Sequence, residues 1–317
     1  MTGAAGFIGS HVVESLLERG DEVIGIDNFD PFYSRELKEG NLTGARRHSR
    51  FTFFEGDIGD LSLLRSALTS ETVILHLAAK AGVRPSIADP VGYARANVLG
   101  TATVVEAARQ AGVRRMVLAS SSSVYGNDTP SPFREDASAL HPVSPYAATK
   151  RGAELLLMSV APLIDLRVAA LRYFTVFGPR QRPDLAIHSF ARRMLAGEAI
   201  TLFGTGSEAR DYTYCADIVA GTLAAMDWTA TAPAGVEVFN LGGNRSIALR
   251  ELVESLAAAI GVVPKIMWAP MQPGDVNFTS ADLSKSLRVL GYSPATSFEE
   301  GIDRFVEWCR GVYGHQH

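Results

Sequence analysis

Tyr146 and Lys150 are the side chains of this 317-residue chain whose types and spacing point most directly to chemistry. They stand four apart in Tyr146-Ala-Ala-Thr-Lys150. On a helix that spacing puts both on one face, where an ammonium can sit beneath a phenol oxygen. A tyrosine ordinarily ionises near pH ~10, too high for a base at neutral pH. A nearby cation favours the phenolate. The serines just upstream, Ser120 to Ser123, can supply a hydroxyl that shares the proton. The expected chemistry is proton abstraction from a hydroxyl.

The N-terminus offers a place for a phosphate-bearing cofactor. Thr2-Gly3-Ala-Ala-Gly6-Phe7-Ile8-Gly9 carries three glycines spaced by three and opens an apolar-periodic helix that Gly20 ends. A helix start presents free N–H groups and a positive dipole end, which suits a pyrophosphate. The glycines let the backbone approach that anion. The next strand, Glu22 to Asp27, ends in an acid where the adenosine ribose hydroxyls would lie. A carboxylate there accepts two hydroxyl bonds and repels a 2′-phosphate, so NAD is expected rather than NADP. A third strand from Phe51 ends at Gly56-Asp57, whose acid could take the adenine amino group. Asn28 and Ile58, beside these two acids, are counted with them. Thr72 to Ala79 reads as a buried strand whose small end, Ala78-Ala79, leaves room for a cofactor. Lys80 follows and can reach the ribose or the phosphates. Asn97 is a candidate for holding a turn of a neighbouring strand. His76 reads as a packed residue.

These groups need a scaffold that brings strand ends together. Helical periodicity over Tyr93–Ala111, a strand from Arg115 to Ser120 and a helix carrying Lys150 continue the alternation of strand and helix. The pattern predicts an α/β fold, a Rossmann-like doubly wound parallel sheet with ligands at the carboxyl ends of its strands. Residues 28 to 50 read as a loop with a short helix at Ser34 to Leu42. The composition, 47% hydrophobic with a net charge of −4, fits a globular protein and gives no electrostatic footing for nucleic acid or acidic lipid. Cys215 and Cys309 lack metal-ligand spacing and read as reduced structural thiols, and no metal is expected. No stretch has the length of a membrane span and no signal-peptide pattern opens the chain, so a cytoplasmic location is expected.

Together these motifs, from Thr2–Gly9 to Leu290-Gly-Tyr292, resemble the extended short-chain dehydrogenase/reductases of the nucleotide-sugar epimerase and dehydratase group. The resemblance implies Tyr146 as catalytic base, Lys150 as its partner and Ser121 as the hydroxyl that shares the proton. It implies that Tyr173 also meets the cofactor. Leu171-Arg-Tyr-Phe-Thr175-Val-Phe-Gly-Pro-Arg180-Gln-Arg182-Pro-Asp184 is similar to the UDP-glucuronate 4-epimerases. UDP-galactose epimerases usually carry Asn where this chain has Thr175. Ile200-Thr-Leu-Phe203 resembles the strand that lays an aromatic against uracil. Arg210 resembles the arginine that grips the diphosphate, a task for which a guanidinium fork is suited. Asp275 falls in a loop like that near the uridine ribose. Ser122 and Ser123 complete the expected substrate set, and either Arg180 or Arg182 would meet a sugar carboxylate.

The activity so implied is NAD-dependent epimerisation at C4 of a UDP-sugar, most readily UDP-glucuronate to UDP-galacturonate, through a transient 4-keto sugar. A 4,6-dehydratase would need the Asp-Glu pair that the family places where Ser122-Ser123 stand, and a decarboxylase usually has Glu at Ser122. A UDP-glucose 4-epimerase and a non-catalytic dinucleotide-binding regulator are the remaining alternatives. The resemblance further implies a homodimer through the helices Tyr93–Ala111 and Tyr146–Val160. It implies an NAD-binding domain of residues 1–172 plus about 236–261, and a nucleotide-sugar domain of 173–235 plus 262–317. It also implies a buried strand leading into Thr2-Gly3, for which the chain has no residues. Met1 stands where the family has Val, and a GTG codon can be read as a start, so a start a few codons upstream is expected. Without that strand its two neighbours should lie roughly 9–10 Å apart, twice the strand spacing, or close up.

Overall fold

The computed structural model describes residues 1–139, 141–270 and 278–313. Its main sheet is all parallel. β1 (Val23–Asp27) pairs with β2 (Phe51–Glu55). β3 (Val73–His76), β4 (Arg115–Ser121) and β5 (Arg167–Tyr173) pair in that order. The two groups meet across Met1–Gly3. Thr2 bridges Ile26 on one side and His76 on the other. Its N–H donates to Leu75 O at 3.0 Å and its carbonyl accepts from Leu77 N at 3.2 Å. β1 and β3 thus stay apart with a single residue paired to both.

After β5 the chain leaves the sheet. β6 (Thr175–Phe177), β7 (Ile200–Phe203) and β8 (Ala209–Tyr214) come before β9 (Gly235–Leu241), which returns parallel to β5. β10 (Ser246–Ala248) joins β8 and β6 in a small sheet, and β11 (Ile266–Ala269) pairs with β7.

Strand alternation divides the core into two layers. On β4 and β5, Val117, Ala119, Ala169 and Leu171 face one side. There they meet α1 (Phe7–Arg19), whose Val12, Val13, Leu16 and Leu17 recur at helical spacing. Met116, Leu118, Val168 and Ala170 face the other side. α2 (Arg35–Asn41) lies in the stretch between β1 and β2, and α3 (Leu61–Ser66) follows β2. Two short helices, α4 (Val83–Ala88) and α5 (Pro90–Ala94), lead to α6 (Gly100–Ala111), and α7 (Pro145–Val160) follows β4. Val104, Val105 and Ala108 of α6, with Ala153 and Leu157 of α7, close the second layer.

The helix predicted over Tyr93–Ala111 is not continuous. A π-helical turn at Arg95–Leu99 separates α5 from α6. π-turns of this kind recur at functional sites. Further along the chain come α8 (Ala186–Leu195), α9 (Cys215–Trp228), α10 (Leu249–Ile260), α11 (Ser284–Leu290) and α12 (Phe298–Tyr313). α9 packs on β4 and β5 and reaches the smaller sheet, α11 lies against β9, and α8, α10 and α12 lie around the smaller sheets. α10 lies against α8 and α12 rather than over the main sheet. Cys215 and Cys309 are buried and unbridged. Among the described residues no helix is long and apolar enough to cross a membrane.

Candidate active site

A cavity of about 670 Å³ runs along the carboxyl ends of β1 to β5, where a doubly wound sheet puts its ligands. At one end are Gly3, Gly6, Phe7, Ile8 and Gly9. Gly3 has φ +74°, a left-handed conformation, and closes a turn by accepting Gly6 N at 3.2 Å. A Cβ on Gly9 would lie 1.9 Å from the Gly3 carbonyl oxygen. Only hydrogen there lets the turn and the start of α1 nest together, leaving first-turn N–H groups open to the cavity.

Asp27 stands at the mouth of this nest. Its carboxylate accepts Ala5 N at 3.0 Å and Phe29 N at 2.9 Å. Burial pushes its pKa up, and those two amides oppose the shift. Asn28 donates to Asp57 at 2.7 Å, and Asp57 also accepts Gly59 N. Asn28, Asp57, Ile58, Ala78, Ala79 and Lys80 all line the cavity. Lys80 pairs with Asp89 at 2.9 Å.

Two further residues lie in the stretch 28 to 50, Tyr33 in its loop and Lys38 on its short helix. Lys38 is buried, donates to Asp30 O and sits 4.5 Å from the Tyr33 ring centroid. The Tyr33 hydroxyl is buried with no hydrogen-bond partner and the residue lines the cavity. A buried orphan hydroxyl facing a cavity is what a ligand would satisfy. The run Phe32-Tyr33, which begins five residues beyond Asp27, was the available signal. The turn, the orphan hydroxyl and the Asp27 carboxylate together fit a dinucleotide.

The proton-handling groups occupy the middle. Ser144 caps α7 by accepting Ala147 N at 3.1 Å, and Pro145 takes the first helical position. Tyr146 therefore falls in the first turn with Lys150 one turn on. Ser121 ends β4, and its oxygen accepts Ser123 N at 3.1 Å, turning the chain so that Ser122 and Ser123 also face the cavity. Burial raises the Tyr146 pKa. A hydrogen bond from Ser121, then the charge of Arg182, favour the phenolate.

Lys150 lines the cavity with Tyr146. Its ammonium donates to Ala119 O at 2.7 Å on the neighbouring strand. Burial pulls its pKa down to about 8, with the charge of Glu154 opposing the shift. Glu154, fully buried, accepts from Ser120 at 2.6 Å, from Arg172 at 3.0 and 2.9 Å and from Arg151 at 2.8 Å. This network ties α7 to β4 and β5.

At the far end Tyr173, Thr175, Arg182 and Arg210 line the cavity. Arg182 gives Nε and Nη2 to Asp184 at 3.0 and 2.7 Å and lies over the Phe32 ring at 5.1 Å.

Three residues expected at the site are not among its described lining. Arg180 turns away to Glu14 of α1 at 2.8 Å because its backbone is left-handed, φ +66°. Asn97, buried on the π-turn, acts from behind. It accepts Lys80 N at 2.8 Å and donates to Lys80 O and Thr149 at 2.9 Å, so it holds the turn after β3. Phe203 lies on β7, where Arg84 stacks 5.2 Å from its ring. Asp275 lies outside the described residues. His76 is packed as expected, bonded to Thr2 and Thr101.

The NAD dependent epimerase/dehydratase family matches residues 1–242. A UDP-glucuronate 4-epimerase of Thermodesulfobacterium geofontis is 40% identical over 313 residues, 98% of this chain and 95% of that protein. The crystal structure of UDP-glucuronic acid 4-epimerase from Bacillus cereus, in complex with UDP-glucuronic acid and NAD, superposes with a TM-score of 0.92 at 36% identity and covers 98% of each chain. A UDP-glucose 4-epimerase from Thermotoga maritima, in a structure with UDP-glucose, gives 0.88 at 34% identity, also over 98% of each chain. With the nested glycines, Asp27 and the Tyr146–Ser121 pair all opening into one cavity, the chain belongs to the NAD dependent epimerase/dehydratase family.

Proposed function

We propose that this protein inverts C4 of UDP-glucuronate, giving UDP-galacturonate. The observation that carries this reading is the placement of Arg182. It lines the same cavity as Tyr146, close enough for its charge to act on the phenol. Ser122, Ser123 and Thr175 bring hydroxyls to that cavity. A guanidinium flanked by hydroxyl donors suits a carboxylate. The Asp184 pair engages two of the five N–H donors of Arg182, leaving others for a second carboxylate. A neutral hydroxymethyl group in the same place could accept from those donors but would add no charge pairing to that of Asp184.

Tyr146, as phenolate, takes the proton of the C4 hydroxyl, and Ser121 donates to the oxygen on which charge changes. NAD, when bound among Gly3–Gly9, Asp27 and Asp57, supplies the acceptor and donor of the C4 hydride. Lys150, with its pKa near 8, is largely protonated at neutral pH. It adds positive charge to the pocket where the phenolate must form. Tyr146 returns its proton to the same oxygen once the 4-keto sugar has presented its other face. Ser122 and Ser123 carry no carboxylate, which counts against dehydration or decarboxylation at this site.

The test is incubation with UDP-glucuronate and, separately, UDP-glucose, reading C4 configuration by NMR. Conversion of the uronate to the galacto form is expected. A pentose product, or turnover of UDP-glucose alone, overturns the reading.

We also propose a homodimer. Leu99, Leu155 and Met158 are exposed on the π-turn before α6 and on α7. A monomer mass by light scattering at micromolar protein contradicts it.

A further inference from the structure

Residues 178 to 184 leave the small sheet at the sugar end of the cavity and carry Arg182 into it. Arg180, two residues earlier, has a left-handed backbone at φ +66°. That conformation costs a non-glycine residue roughly 1–2 kcal/mol, and it persists only where surrounding contacts impose it. The contacts come from two directions. On one side is α1, the helix whose first turn faces the dinucleotide end. There His11 Nε2 bonds Pro179 O at 2.9 Å, and Glu14, three residues on and on the same face, takes Arg180 Nη2 at 2.8 Å. On the other side Gln181, buried, donates to Val176 O at 3.0 Å, and His188 bonds the Gln181 carbonyl.

We infer that Arg180 and Glu14 form a positioning pair that sets the direction of Arg182, so that the cofactor helix determines how tightly the sugar carboxylate is held. The inference rests on the reading of Arg182 as the carboxylate's partner. Arg180 is not among the cavity's described lining residues and Glu14 is on the far side of the turn, so neither side chain offers the ligand a contact of its own. Their effect is geometric. Without the pair, the turn is free to relax toward an ordinary backbone and Arg182 swings off its position. Misplacement by about 1 Å is enough to cost large factors in binding or rate.

Three variants test it on the NAD-loaded enzyme. Arg180→Gly removes the side chain and accepts the left-handed backbone. Glu14→Ala removes the partner. Arg180→Lys keeps a cation within reach of Glu14. Arg180→Gly and Glu14→Ala should each raise KM for UDP-glucuronate about tenfold. The affinity for UDP, retained NAD and melting temperature should stay at the parent's values. Combined, the two should cost no more than either alone, and Arg180→Lys should recover most of the loss. Equal weakening of UDP and UDP-glucuronate, an unchanged KM in both variants, or additive losses in the double variant overturn the inference. Should Arg180→Gly melt early, Glu14→Ala on the part-exposed helix face decides the matter by itself. Arg182→Leu run in parallel separates the two levels. If it weakens UDP-glucuronate selectively while the Arg180 and Glu14 variants are silent, only the positioning pair fails. If Arg182→Leu weakens UDP equally, the carboxylate reading fails and the positioning pair with it.

Discussion

Gly9→Ala is the substitution whose consequence the structure dictates most directly. The added methyl would stand 1.9 Å from Gly3 O and 2.9 Å from Gly3 C, both backbone atoms. Side-chain carbons do not approach other atoms closer than 3.0 Å, so the two segments must separate by about 3.0 − 1.9 = 1.1 Å. Gly3 has nowhere to retreat. It packs against the backbone of Ala78, where a Cβ added to Gly3 would stand 2.7 Å from Ala78 N. The start of α1 must therefore tilt away, carrying the N–H groups that face the pyrophosphate. A hydrogen bond to a charged group contributes roughly 1.5–3 kcal/mol. Loss of two costs roughly 3–6 kcal/mol, or about 10²- to 10⁴-fold in NAD affinity. Gly6→Ala is the internal control for the turn's own integrity, read as melting temperature, since its nearest protein neighbour would be 3.3 Å away and needs to give only a few tenths of an ångström. Titration calorimetry of NAD into stripped protein should place Gly9→Ala far below the parent. A Gly9→Ala protein that binds NAD within threefold of the parent, at the same melting temperature, would refute the steric reasoning.

Tyr146→Phe should lower turnover by about 10²- to 10⁴-fold, as expected for loss of a general base, while NAD content by absorbance stays at the parent's level. Glu154→Gln leaves the buried Arg172 guanidinium without its anion and should cost about 3–5 kcal/mol in urea unfolding. A loss under 1 kcal/mol would mean that the network is better hydrated than its burial implies. His76 is buried and neutral, with its pKa pulled down to about 3 from 6.5 by burial first and by the charge of Lys150 second. Between those values the unfolded chain binds a proton that the folded chain does not, so stability is full above pH 6.5 and falls below it. At 1.36 kcal/mol per pH unit, about 3 kcal/mol disappears by pH 4. Parent and His76→Gln should then differ in the slope of urea stability against pH, and parallel slopes would contradict the assignment.

The parts of this protein legible from sequence are those built by neighbours in the chain. The glycine triplet, the acid closing β1 and the four-residue spacing of Tyr146 and Lys150 each rest on local periodicity. The Ser144 cap and Pro145 start α7 where the spacing needs it. The alternation of strands and helices settles the sheet's class and puts these groups at one edge. What needed the tertiary structure was direction. Arg180 and Arg182 are chemically alike and two residues apart. Which one enters the cavity depends on Glu14 and His11, more than 160 residues earlier, meeting a left-handed turn. Lys150 points to Ala119 O because β4 passes beside it, and no spacing within α7 encodes that. Asn97 holds the Lys80 turn only because a π-turn interrupts a helix that reads as continuous. Tyr33 reaches the cavity through the path of an irregular segment, which lacks the periodicity that makes a helix or strand readable, and Lys38 through the way the short helix α2 is set against it. Periodicity records which face of an element is buried, whereas the aim of a single polar side chain is set by atoms that only folding brings near it.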